Sequence, residues 1–171
     1  MRWQSHQQQE HRIRPPALKD WLLDRGSLTE RLVEASGGEF RVEVLRQQWG
    51  VADSGEARLL GLPLRQRALI REVILHGNNQ PWVYARSILP AKSLQHSLRH
   101  LKRLGNKPLG AVLFGDPDMQ RSNIEIACLN TQELPLAIEQ PAWGRRSVFF
   151  LHNQPLLVSE VFLPAFVSRF C

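Results

Sequence analysis

Hydrophobic and polar positions alternate most regularly toward the C-terminal end, where two apolar runs flank His152-Asn153-Gln154-Pro155. The pattern predicts a β-hairpin over Trp143–Pro164, with those four residues as its connection. In the second run Leu156, Val158, Glu160 and Phe162 share one face, and Leu157, Ser159, Val161 and Leu163 the other. Ala68–His76 alternates in the same way, with Leu69, Arg71, Val73 and Leu75 on one face and Ile70, Glu72, Ile74 and His76 on the other. Gly77-Asn78-Asn79-Gln80 supplies a turn, and Pro81–Leu89 returns antiparallel. Phe40–Trp49 and Arg121–Asn130 also read as half-buried strands.

Helical spacing is confined to shorter stretches. Leu18, Trp21, Leu22 and Leu23 mark a helix over Ala17–Asp24. Ser27-Leu-Thr-Glu30 has the spacing of a capping box and opens a second helix, closed by Gly37-Gly38. Leu94, Leu98, Leu101 and Leu104 form one stripe and predict a helix over Ala91–Leu104. Residues 50–63 and 108–117 read as long connections, and 1–15 as a flexible tail before a single domain over 16–171. The expected fold class is α+β: one six-stranded antiparallel sheet with helices packed beside it, on one side.

Composition narrows the class only a little. The chain has 171 residues, 43% of them hydrophobic, enough for one domain with a real core. Neither a secretory signal nor an apolar run of membrane-spanning length is apparent, which leads us to expect a cytoplasmic protein. Two cysteines, Cys128 and Cys171, do not make a disulfide framework, and Cys128 reads as inert core. A net charge of +6 suits any polyanionic partner. Arg99, His100, Lys102, Arg103 and Lys107 are the best nucleic-acid candidates, but a solvated helix face explains them more simply. His96 and His100 have i,i+4 spacing without the glutamate of a zinc-protease helix or a third ligand, so no metal is expected.

Two charges stand out against apolar surroundings. Glu160 is the lone carboxylate on its strand face, and Arg71 the lone cation on its own. A buried arginine keeps its charge and must find an anion, while a buried carboxylate must be paired, protonated or in contact with a ligand. The two either neutralise one another or line one pocket, with Arg71 gripping a carboxylate and Glu160 moving a proton.

Several motifs together resemble the chorismate lyase family. They are Leu18-Lys-Asp-Trp-Leu-Leu23 with Gly26-Ser-Leu-Thr29, Arg71-Glu-Val-Ile-Leu75, and Pro81-Trp82 with Arg86-Ser-Ile-Leu-Pro90. Further along come Leu104-Gly-Asn-Lys-Pro-Leu-Gly110, Trp143-Gly-Arg-Arg-Ser147 and Pro155-Leu-Leu-Val-Ser-Glu-Val-Phe-Leu-Pro164. The resemblance implies a small enclosed site that converts chorismate to 4-hydroxybenzoate and pyruvate for ubiquinone synthesis, without metal or organic cofactor. Arg71 and Glu160 match its ligand-binding arginine and essential glutamate. Leu28, where the family often has methionine, and Leu109 match positions on segments that close over the ligand, and Arg86 matches an arginine expected to help near the site. The expected partner is chorismate alone, with no nucleic acid or integral membrane segment, and the protein is expected to be a monomer. The alternative is an effector-binding domain of the same fold, although the N-terminal stretch looks too short to carry a DNA-binding unit.

Overall fold

Both faces of the sheet are covered, which is why its strands bury side chains of both parities. The computed structural model describes residues 3–171, apart from the side chain of His96. Eight strands form one antiparallel sheet: β1 (Gln4–Ser5), β2 (Phe40–Val51), β3 (Arg67–Gly77), β4 (Gln80–Pro90), β5 (Gln120–Arg121), β6 (Glu125–Leu129), β7 (Ala142–Leu151) and β8 (Gln154–Phe162). Their spatial order is β1-β6-β7-β8-β4-β3-β2, with β5 paired to β7. The expected six strands are therefore short by two. The extra pair, β1 and β5, are two-residue strands, too short to show an alternation.

The two long hairpins close through pairs of residues with positive φ. Asn78 and Asn79 (49° and 60°) link β3 to β4, and His152 and Asn153 (48° and 61°) link β7 to β8. Such two-residue turns match the twist of the flanking strands. Between Leu75 and His76 the β3–β4 pairing shifts by one residue, which sets Arg71 opposite Ser87 rather than Arg86. On β2 a bulge between Val44 and Arg46 shifts the pairing by one residue. It places Gln47, rather than Arg46, opposite Arg71, and Arg46 opposite Glu72.

Helices α2 (Leu18–Leu22), α3 (Leu28–Ala35), α5 (Leu109–Phe114) and α6 (Pro164–Phe170) are joined by α1 (His6–Gln9) and α4 (Ser54–Leu59). Leu18, Leu22, Leu28, Leu32 and Phe166 pack with Val73, Ala85, Ile126 and Phe162 on one face of the sheet. Ala57 of α4 packs with Ile70, Ile88 and Leu157 on the other, so helices lie on both sides and not on one. Helix α4 falls inside the connection expected over 50–63, where an Asp53/Glu56 capping box starts it.

Other local expectations shift too. The leucine stripe over 91–104 is carried by a 3-10 helix, His96–Arg103, with Leu94, Leu98, Leu101 and Leu104 all buried. The stretch expected as a loose tail is packed from residue 4 onward: β1 pairs with β6, and Ile13 is 2% exposed within the core. Cys128, expected in the core, is exposed.

Candidate functional site

Register brings the site together across four strands. Arg71, Ser87, Val158 and Ser147 form one row over β3, β4, β8 and β7. Val73, Ala85, Glu160 and Arg145 form the next. Between Arg71 and the Glu160–Arg145 pair the side chains are small, Ser87 and Val158 in one row and Val73 and Ala85 in the next, and they form the floor of the candidate site. Neighbouring strands are ~4.8 Å apart and residues ~3.4 Å apart along a strand, so Arg71 and Glu160, two strands and two residues apart, start from backbones roughly 12 Å apart.

Arg71 and Glu160 share this face, but they do not neutralise one another. Arg71 is 2% exposed and donates to Gln47 Oε1 at 2.9 Å and to the Lys107 carbonyl at 3.1 Å. Both acceptors are neutral, and burial pulls its pKa below the ordinary arginine value. Glu160 instead faces Arg145, whose Nε donates to Oε2 at 2.7 Å. No described residue donates to Oε1 of Glu160. Arg145, also 2% exposed, donates through Nη1 to the carbonyls of Trp21 and Asp24 at 2.8 and 2.7 Å.

The roof is made by Leu28 and Leu109, 4% and 8% exposed, at the first turns of α3 and α5. Ser27 Oγ accepts the Glu30 N–H at 3.2 Å and starts α3. The two helices touch where Gly110 meets Thr29: a Cβ on Gly110 would lie 2.6 Å from Thr29 Oγ1. Arg71 holds the segment that leads into α5 and Arg145 the segment that precedes α3. The residues at the floor thus also anchor the roof.

Arg86 does not join this group. It lies opposite Ser159, so its side chain points to the reverse face, where Glu56 accepts from Nε and Nη2 (2.7 and 3.1 Å) and Glu72 from Nη1 (2.7 Å). Glu72 also accepts from Arg46 Nε at 2.7 Å and Tyr84 Oη at 2.8 Å. Burial pushes the Glu72 carboxyl up, but bonds from Arg46, Tyr84 and Arg86 outweigh it and hold the pKa below the usual value. This network locks α4 to the sheet, which is a sufficient reason for Arg86.

Arg145 was not distinguishable by residue type from Arg146, its neighbour in Trp143–Ser147. Both are buried, but Arg146 points to the reverse face and pairs with Glu125 at 2.8 Å. A signal did exist: with a two-residue turn at His152-Asn153, pairing arithmetic sets Arg145 opposite Glu160. A connection spanning His152–Pro155 sets Ser147 there instead. The basic residues Arg99, His100, Lys102, Arg103 and Lys107 line an open cavity of about 600 Å³ without a carboxylate. It adjoins the site, since the Lys107 carbonyl bonds Arg71, and Gln47 donates to the Lys102 carbonyl at 2.9 Å. The side chain of His96 lies outside the described residues, and among those described no three metal-ligating residues cluster.

The fold, one antiparallel sheet with helices, is shared with solved domains of low sequence identity. The effector domain of PhnF from Mycobacterium smegmatis superposes with a TM-score of 0.59 at 17% identity, over 84% of this chain and 91% of that one. The ligand-binding domain of a putative GntR-family regulator from Bordetella bronchiseptica gives 0.53 at 18% identity, over 74% and 84%. Sequence is more specific. The chain belongs to the chorismate lyase family, whose pattern it matches over residues 1–170. It is 41% identical over 157 residues to the probable chorismate pyruvate-lyase of Methylococcus capsulatus, covering 88% of this chain and 97% of that protein. It is 45% identical over 148 residues to that of Pseudomonas putida, covering 86% and 81%. No described helix is long and apolar enough to cross a membrane.

Proposed function

We propose that this protein is a chorismate pyruvate-lyase, removing the enolpyruvyl group of chorismate as pyruvate and leaving 4-hydroxybenzoate for ubiquinone synthesis. The observation that carries this reading is a carboxylate, Glu160, with one oxygen held by Arg145 and the other open over a floor of small side chains. A cation without a carboxylate partner, Arg71, lies across that floor. Arg71 takes the ring carboxylate, exchanging neutral acceptors for a charged one in a buried setting. Leu28 and Leu109 close the roof and exclude water.

Aromatisation provides the driving force. Glu160 Oε1 takes the hydrogen at ring C4 as a proton, the electrons left behind complete the aromatic ring, and the bond from the ring to the enolpyruvyl oxygen breaks. The released enolate takes a proton on its methylene carbon and becomes pyruvate, so the proton removed at C4 balances the one gained. Arg145 fixes the carboxylate that performs the transfer.

The effector-domain alternative rests on fold likeness, which does not carry function. The direct test is incubation of purified protein with chorismate in the presence of a chelator. We expect 4-hydroxybenzoate and pyruvate in equal amounts. No product, or 3-hydroxybenzoate in its place, would overturn the reading.

A further inference from the structure

Among the described residues, Arg121 is an arginine beside Glu160 that the chemistry above leaves unused. It sits on β5 at the edge of the site face, directly opposite Phe149, and its guanidinium lies 4.9 Å from the Phe149 ring centroid. Its Nε donates to Ser147 Oγ at 3.1 Å, and its Nη1 to the carbonyls of Asp24 and Arg25 at 3.4 and 3.1 Å. Ser147 ends the row that begins at Arg71, so the two guanidiniums flank the same floor from opposite sides. Every hydrogen-bond partner of Arg121 is neutral. Burial and then the charge of Arg145 pull its pKa down to about 10, with Glu160 acting in the other direction. A cation held this way, half-buried beside another cation, is suited to an incoming anion.

Charge accounting shows what kind of anion. Arg71, Arg121 and Arg145 flank the floor, whose carboxylate is Glu160; Asp24, which Arg121 and Arg145 also feel, is paired with Arg31. Arg145 is committed to Glu160. Arg71 and Arg121 are the two without a carboxylate, one on each side of the floor, and only Arg121 lies close enough to Glu160 to feel its charge. A dianion with its carboxylates at opposite ends satisfies both.

Resting on the lyase reading, we infer that Arg121 binds the carboxylate of the enolpyruvyl group, while Arg71 binds the ring carboxylate. Arg121 is then a substrate-positioning residue that recognises chorismate but not its aromatic product, which has lost that carboxylate. The assignment orients the substrate: its breaking bond lies on the Arg121 side of the floor, next to Glu160. It also gives a route for release, since departure of pyruvate removes the charge that Arg121 held.

The test separates the two ligands. Arg121→Met and Arg121→Lys are compared with wild type for kcat and KM with chorismate, for the Kd of 4-hydroxybenzoate, and for melting temperature. Without its charge-assisted hydrogen bond to the substrate, Arg121→Met should show a KM raised roughly 10- to 100-fold. The product Kd should stay within about threefold by the same reasoning, because the product makes no such bond. Arg121→Lys should recover part of the loss. If KM and product Kd worsen together, Arg121 serves only to tether the Asp24–Arg25 segment, and the assignment fails. It fails equally if neither value moves. Absence of chorismate turnover by the wild-type protein would instead overturn the lyase reading beneath it.

Discussion

Arg145 and Glu160 stand directly opposite one another on β7 and β8, and their 2.7 Å bond links the floor of the candidate site to the segment that precedes α3. The same guanidinium that fixes the carboxylate holds two carbonyls at the end of α2, and so sets where α3 and Leu28 lie. Arg71 does the equivalent for α5 through the Lys107 carbonyl. On the proposed function, ligand binding at the floor and closure of the roof should therefore be coupled.

Removing Arg145 should therefore affect both stability and rate. Breaking a buried pair by deleting one partner costs about 3–5 kcal/mol, because the other charge is left buried and uncompensated. For a chain of this size that corresponds to a fall in Tm of roughly 10 °C. Arg145→Met should show this in thermal unfolding, with turnover reduced at temperatures where it remains folded. A variant with wild-type Tm and wild-type kcat would show that the pair is dispensable.

The close approach of Gly110 to Thr29 sets how tightly the roof closes. A Cβ 2.6 Å from an oxygen has to be relieved by movement of one helix or the other. Gly110→Ala should part α5 from α3, weaken 4-hydroxybenzoate binding and speed its release. Adding Thr29→Gly removes the oxygen and should restore the wild-type dissociation rate. Stopped-flow measurement of product release decides this, and an unchanged rate in Gly110→Ala would count against closure at this point.

How much of this was readable from the chain can be followed residue by residue. The alternation in Ala68–His76 and in Leu156–Leu163 set Arg71 and Glu160 each on a definite strand face, because successive side chains leave opposite sides of the pleat whatever covers them. Arg145 was hidden by turn geometry: whether two or four residues close the hairpin moves the partner of Glu160 from Arg145 to Ser147. Gln47 was hidden by the β2 bulge, which leaves no mark in the pattern of Phe40–Trp49. Family likeness puts Arg86 near the site, yet strand parity, with Ala85 opposite Glu160, sends it to the reverse face. Helix α4 went unseen because its apolar contribution to the core is small, Ala57 being its main buried apolar side chain.

Acid should unfold the protein partly through the reverse-face network. Glu72 has a folded pKa below its ordinary value, so it binds protons less readily folded than unfolded. Its contribution is complete above the ordinary carboxylate range and is lost as pH falls through the depressed folded pKa. Stability measured by denaturant should be flat in this respect from neutral pH down to about 5 and decline below about 4. Glu72→Gln should be less stable at neutral pH and show a shallower acid decline. An unaltered acid profile would mean that other carboxylates dominate.

The basic cavity beside Arg71 should steer a dianionic substrate. Attraction by exposed charges acts on association and is screened by salt over about 8–10 Å. We expect kcat/KM for chorismate to fall with ionic strength while kcat stays constant. Reversing charge with Lys102→Glu and Arg103→Glu should lower kcat/KM and flatten the salt dependence. A salt-insensitive kcat/KM would show that association is not limited by encounter.

Arg71 and Glu160 should fail in different ways. Arg71→Ala removes a clamp on the ring carboxylate, present in substrate and product alike. Its loss should weaken both by about 2–4 kcal/mol, since charge-assisted bonds contribute ~1.5–3 kcal/mol each and leave a desolvated carboxylate behind. The released Lys107 carbonyl should loosen α5 as well, so product should leave faster. Glu160→Gln preserves shape and can still meet Arg145 through its carbonyl oxygen, but it cannot accept the C4 proton. Proton transfer by a positioned group contributes ~10²–10⁴-fold in rate, and single-turnover conversion should fall by that order. The product Kd should change far less than the rate. Near-wild-type turnover by Glu160→Gln would reduce Glu160 to a structural partner of Arg145 and require another group on the floor to accept the proton.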